Sequence, residues 1–115
     1  MSRRTEQVAS LIQQELGQMI ARLELPALTT ISKIEVTPDL KWAKVGITVL
    51  DISQEARVLD ILHANIYDMQ GELIRKLKMK IVPRVIFFID KAEEYASHIN
   101  ELLRKTKDDN AQDEH

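Results

Sequence analysis

The chain has 115 residues, 44% hydrophobic and 30% charged, with no cysteine and a net charge of −2. That length supports one hydrophobic core rather than two, and the lack of cysteine excludes disulfides, thiolate metal sites and cysteine nucleophiles, in agreement with a reducing compartment. No run approaches the roughly 18 apolar residues of a membrane helix, and the opening MSRRTEQVAS enters an amphipathic pattern without an apolar signal core. The expected location is the cytoplasm.

Val8, Leu11, Ile12, Leu16, Met19, Ile20 and Leu23 recur at steps of three and four, which predicts an amphipathic helix over about 4–24, stopped by Pro26. TISKIEV at 30–36 alternates as a half-exposed strand, with Ser32, Ile34 and Val36 expected on one face and Ile31, Lys33 and Glu35 on the other. The turn TPDL follows, where Pro38 suits a turn position and Asp39 can bond its own backbone. A hairpin results. In the second strand Ala43, Val45, Ile47 and Val49 alternate with Trp42, Lys44, Gly46 and Thr48, so the lone tryptophan is expected on the face away from the core.

Asp51 or Ser53 can cap a helix beginning near Gln54. Its stripe of Leu59, Leu62, Ile66, Met69, Leu73 and Leu77 runs so long that a bend is expected, and Asn65 and Gly71 are its weakest helix formers. Pro83 opens RVIFFID, a buried third strand. A last helical pattern of Tyr95, Ile99, Leu102 and Leu103 spans about 92–105, and TKDDNAQDEH has the composition of a disordered acidic tail. The expected organisation is one domain over 1–105 and a tail over 106–115. The fold class is α+β: a three-stranded mixed sheet with helices on one face, its second and third strands parallel because a helical crossover joins them.

Residues 92–115 hold three Lys/Arg against seven Asp/Glu, while 75–91 carry Arg75, Lys76, Lys78, Lys80, Arg84 and Lys91 against Asp90 alone. The acidic end masks a basic patch. Lys41, Trp42 and Lys44 lie on the strand that the topology places beside it, so cations that meet phosphates and an aromatic that can stack on a base could border one surface. The plainer alternatives are a solvated helix end complementing its dipole, and a tryptophan packed under the turn or against the first helix. Catalytic patterns are missing. The three histidines are far apart, the glycines are isolated, no metal site or cofactor is indicated, and Asp90 reads more simply as a helix cap than as an acid.

ISKIEVTPDLKWAKVGITVL and LIRKLKMKIVPRVIFFIDKAEEYASHINELL, together with RTEQVASLIQQELGQMI, resemble the ribosome-binding factor A family over about residues 3–104. The resemblance implies a type II KH-like fold, ordered helix, strand, strand, helix, helix, strand. It also implies a non-enzymatic, monomeric factor that binds the small (30S) ribosomal subunit through its 16S rRNA and assists late maturation, rRNA 5′-end processing and growth in the cold. The family's Ala-x-Gly helix kink would fall at Asn65, Ile66 and Tyr67, where neither its Ala nor its Gly is present, and Gln70 and Gly71 stand where the family tends toward Arg. The expected RNA-binding residues are Arg75, Lys76, Lys78, Lys80 and Arg84, extended by Lys41, Trp42, Lys44, Arg3 and Arg4. The alternative is a protein-interaction module using the N-terminal helix or the edge of the first strand.

Overall fold

The computed structural model describes residues 3–91; the helix expected at 92–105 and the tail at 106–115 lie outside the described residues. Helix α1 (Arg3–Arg22) buries Val8, Ile12, Leu16, Met19 and Ile20, the positions its three-four spacing selects. It stops two residues before the expected end, because the Leu23 amide bonds back to the Ile20 carbonyl at 3.1 Å and tightens the last turn. Leu23 and Leu25 then fold against the core. Leu16 is fully buried, so truncation to Ala there should cost about 2–5 kcal/mol.

Strands β1 (Thr29–Val36) and β2 (Trp42–Val49) form the antiparallel hairpin, and β3 (Arg84–Ile89) lies parallel to β2 in the order β1-β2-β3. β1 corrects one expectation. Its register shifts between Ile31 and Lys33, so Ile31 stands opposite Ile47 and Lys33 opposite Gly46, with Ser32 the extra residue of a bulge. The bulge reverses the alternation. Ile31 thus packs on the core in company with Ile34 and Val36, while Ser32 is exposed and its hydroxyl reaches the Gly46 carbonyl at 3.1 Å and Asp90 Oδ2 at 2.6 Å.

After β2, Asp51 caps a single 3₁₀ turn at Ile52–Gln54 by accepting from the Ser53 amide at 3.1 Å, and helix α2 (Glu55–Ala64) follows. The expected bend falls at Asn65, which separates α2 from α3 (Ile66–Leu77) with φ −101° and ψ 1°. Its side-chain amide donates to the Ile61 carbonyl at 2.8 Å, and its own amide is shared between Ile61 and Leu62. A side chain inserted into the backbone ladder is a sufficient cause of the break. Gly71 sits within α3 without breaking it.

All three described helices pack on the sheet face that carries Ala43, Val45, Ile47, Val49, Val85 and Phe87, closing a core with Val58, Leu62, Met69 and Leu73. α1 runs opposite to α3: Arg22 at its end forks onto Glu72 at 2.8 and 3.0 Å, whereas Arg3 and Arg4 at its start lie beside Met79, just past α3. The Arg22 side chain is 56% exposed, so this pair fixes geometry more than it stabilises.

Candidate nucleic-acid interface

The surface begins with the turn. The Thr37 hydroxyl donates to Asp39 Oδ1 at 2.6 Å and accepts from the Trp42 amide at 3.1 Å, and Asp39 Oδ1 also accepts from the Lys41 amide at 3.0 Å. These bonds, the Thr37 hydroxyl's first, hold the Asp39 carboxyl below the usual carboxylate range. Leu40 takes a left-handed φ of 62°, its amide bonded to the Thr37 carbonyl at 2.8 Å, and its side chain is tethered to the core. Lys41 and Trp42 are thereby delivered to the start of β2 in a fixed register.

Trp42 stands opposite Arg84 on the parallel strand, with the Arg84 amide donating to the Lys41 carbonyl at 2.8 Å. The Arg84 guanidinium lies 5.7 Å from the indole centroid. One pair further, Lys44 has Ile86 on one side and Glu35 on the other, and beyond that Phe88 crosses Gly46 with the Lys33 ammonium 5.9 Å from its ring. Trp42 packs neither under the turn nor against α1: it is 38% exposed on the face opposite the helices.

Arg84 also belongs to a second surface, a groove between α3 and β3 that it lines with Tyr67, Ile74 and Arg75. Gln70 sets the seam of this groove. Its amide nitrogen donates to the Pro83 carbonyl and its amide oxygen accepts from the Val85 N–H, both at 2.9 Å. An arginine there could supply the first bond but has no acceptor for the second, so the seam is matched to an amide side chain.

Of the residues singled out in the sequence, the fold brings Lys41, Trp42, Lys44 and Arg84 together and joins Arg75 to them across the groove. Lys76, Lys78 and Lys80 are exposed at the end of α3 and in the segment after it, Lys78 in a left-handed conformation with φ 52° that terminates the helix. Arg3 and Arg4 reach this pole through Met79. Lys91 does not: it lies past the far end of β3, its ammonium 2.8 Å from Glu55. Asn65 makes the helix break, while Ile66 and Tyr67 already belong to α3, with Tyr67 87% exposed. Sequence reasoning missed Tyr67 as a surface aromatic, and also Phe88 and Lys33. Phe88 shares the period-two phase of Arg84, a signal obscured because RVIFFI reads as uniformly buried. Among the described residues, no three His, Asp or Glu side chains come together to hold a metal ion, and no helix is long and apolar enough to cross a membrane.

A protein-family model described as ribosome-binding factor A matches residues 4–103. The chain belongs to the ribosome-binding factor A family. Relatives so named include that of Chlorobium limicola, 37% identical over 113 residues, covering 93% of this chain and 94% of the relative. That of Chlorobium chlorochromatii is 39% identical over 116 residues, covering 93% and 90%. The crystal structure of ribosome-binding factor A from Thermus thermophilus superposes with a TM-score of 0.69 at 21% identity, covering 76% of this chain and 97% of that one. A solution structure from Thermotoga maritima, a putative member, gives 0.68 at 23%, covering 80% and 92%. A further Thermus thermophilus model, fitted into a cryo-EM map of a complex with the 30S subunit, gives 0.64 at 22%, covering 74% and 93%. These neighbours share the KH-like α+β fold that the resemblance implied.

Proposed function

We propose that this protein binds the small ribosomal subunit through 16S rRNA and assists late maturation of that subunit, including 5′-end processing, as a cytoplasmic monomer without catalysis. The observation that carries this reading is the convergence of Lys41, Trp42, Lys44 and Arg84 on paired strands, continuous with Arg75 through the groove. Guanidinium and ammonium groups hold phosphates, and an indole can stack on a base. Family membership supports the partner, since a Thermus thermophilus relative was fitted into a 30S complex. Such a factor acts by stabilising one rRNA conformation, and its affinity should be strongly salt-dependent.

The test is cosedimentation with purified small subunits over a salt series, paired with mapping of rRNA ends in cells lacking the gene. An untrimmed 5′ end links binding to maturation; normal ends together with absent cosedimentation would remove the proposal. A second reading, a protein-docking module, is favoured by the apolar groove between the end of α1 and the edge of β1, lined by Ile20, Leu23, Leu25, Pro26 and Leu28. Under that reading the protein would not follow subunits through its basic pole, and charge-removing variants would leave cosedimentation unchanged.

A further inference from the structure

We propose that the sheet face left uncovered by the described helices is a stacking platform for one single strand of RNA, with Trp42 and Phe88 seating separate bases. This rests on the RNA-binding reading above and names the form of RNA that the face takes. The two rings lie on adjacent strands, Trp42 opposite Arg84 and Phe88 four residues further along β3, opposite Gly46. Four strand residues span about 13 Å, too far for one base to touch both rings and suited to two separate bases of an extended strand with a further nucleotide between them. Ile86 and Lys44 occupy the rung between them, Ile86 40% exposed as an apolar floor and Lys44 as a cation within reach of the backbone.

The geometry of Phe88 depends on Gly46. A Cβ at position 46 would stand 2.9 Å from the Phe88 Cζ atom, so only glycine lets the ring cross the strand without being pushed aside. Both rings carry a cation, Arg84 at 5.7 Å from Trp42 and Lys33 at 5.9 Å from Phe88. These distances are close to the limit of about 6 Å for such a contact. Each exposed cation is loosely held and can transfer to a phosphate when a base takes its place on the ring. Two carboxylates border the face: Glu35 stands opposite Lys44, and Asp90, which accepts from the Ser32 hydroxyl at 2.6 Å, lies beside Gly46 at the Phe88 end, so the phosphates of a bound strand would run on the Lys33, Lys44 and Arg84 side. A duplex hides its bases and could meet only the cations, so alternating rings and charges select a single strand.

Trp42 is the only tryptophan, so its fluorescence reports the platform directly. The full-length protein is titrated with single-stranded decauridylate and with a ten-base-pair RNA duplex, and small-subunit cosedimentation is measured in parallel. Decauridylate should quench Trp42 and the duplex should not. Phe88→Leu should weaken decauridylate binding about tenfold, Phe88→Tyr should retain it, and Ile86→Glu, at an exposed position, should abolish it if the Leu variant proves unstable. Equal quenching by the duplex would show a charged surface without stacking and overturn the platform. So would an unchanged affinity in folded Phe88→Leu and Ile86→Glu, or a Trp42 signal indifferent to RNA. If cosedimentation persists in those cases, subunit binding survives and only the platform is lost; if cosedimentation is absent as well, the functional reading fails with it.

Discussion

Arg84 is the cross-strand partner of Trp42, and its guanidinium stands 5.7 Å from the centre of the indole. Such a contact at an exposed site is worth about 0.5–1 kcal/mol. Trp42→Ala removes that contact and also the packed part of a side chain that is 38% exposed, so it should lower unfolding stability by about 1–3 kcal/mol while weakening small-subunit binding. Denaturant titration beside cosedimentation separates the two effects. A collapse of the fold would show instead that the indole is structural.

Lys76 and Lys80 are exposed at the basic pole. If each neutralises a phosphate, Lys76→Ala with Lys80→Ala should reduce the slope of log affinity against log salt by about 1.4–1.8. An unchanged slope would move the site elsewhere.

Lys78 ends α3 in the left-handed region at φ 52°, where a Cβ is strained. Lys78→Gly should gain about 0.5–1 kcal/mol in thermal or chemical unfolding, and as a lost cation it should also weaken subunit binding. Leu40→Gly, at φ 62°, should bring no such gain, because Leu40 also packs against the core.

Gln70 satisfies the Pro83 carbonyl and the Val85 amide together. Gln70→Leu leaves both without their partner in a half-buried seam, which should cost about 1–3 kcal/mol. Hydrogen exchange at Val85 should accelerate; if it stays at the wild-type rate, another group is holding that amide.

Asp39 has a folded-state pKa below its unfolded value, chiefly through the Thr37 hydroxyl. Its stabilisation of the turn is therefore fully present above the unfolded value of about 3.9. It fades as pH falls through the lowered folded pKa. Carboxyl chemical shifts should titrate at the lowered value, and Thr37→Val should return the midpoint toward normal.

α1 and β2 were legible because each rests on one uninterrupted period, 3.6 residues in the first and two in the second. That the strands of Trp42 and Arg84 lie side by side was legible as well, since a helical crossover implies parallel neighbours, while the register that pairs the two residues was not. Where legibility failed, the cause is a bond between distant residues. Nothing local in TISKIEV marks Ser32 as the extra residue, because a bulge exists only relative to the strand it pairs with, and its hydroxyl is engaged by Asp90, 58 positions away. Gln70 stood out in the sequence only as a departure from the resemblance, and nothing local showed that its amide would meet Pro83 and Val85. Asn65 fell between these cases: its weak helix propensity announced a break, while the bond to Ile61 that executes it had to be seen.

The bulge has a consequence for comparing relatives. β1 spends one more residue than β2 over the same length of sheet, so a relative with a regular first strand must lack one residue at or near Ser32. The correct alignment of two such sequences carries a gap inside a strand, where gaps are ordinarily avoided. Placing the gap in the flanking loop instead would exchange inward for outward residues along half of β1 and make a preserved core look substituted.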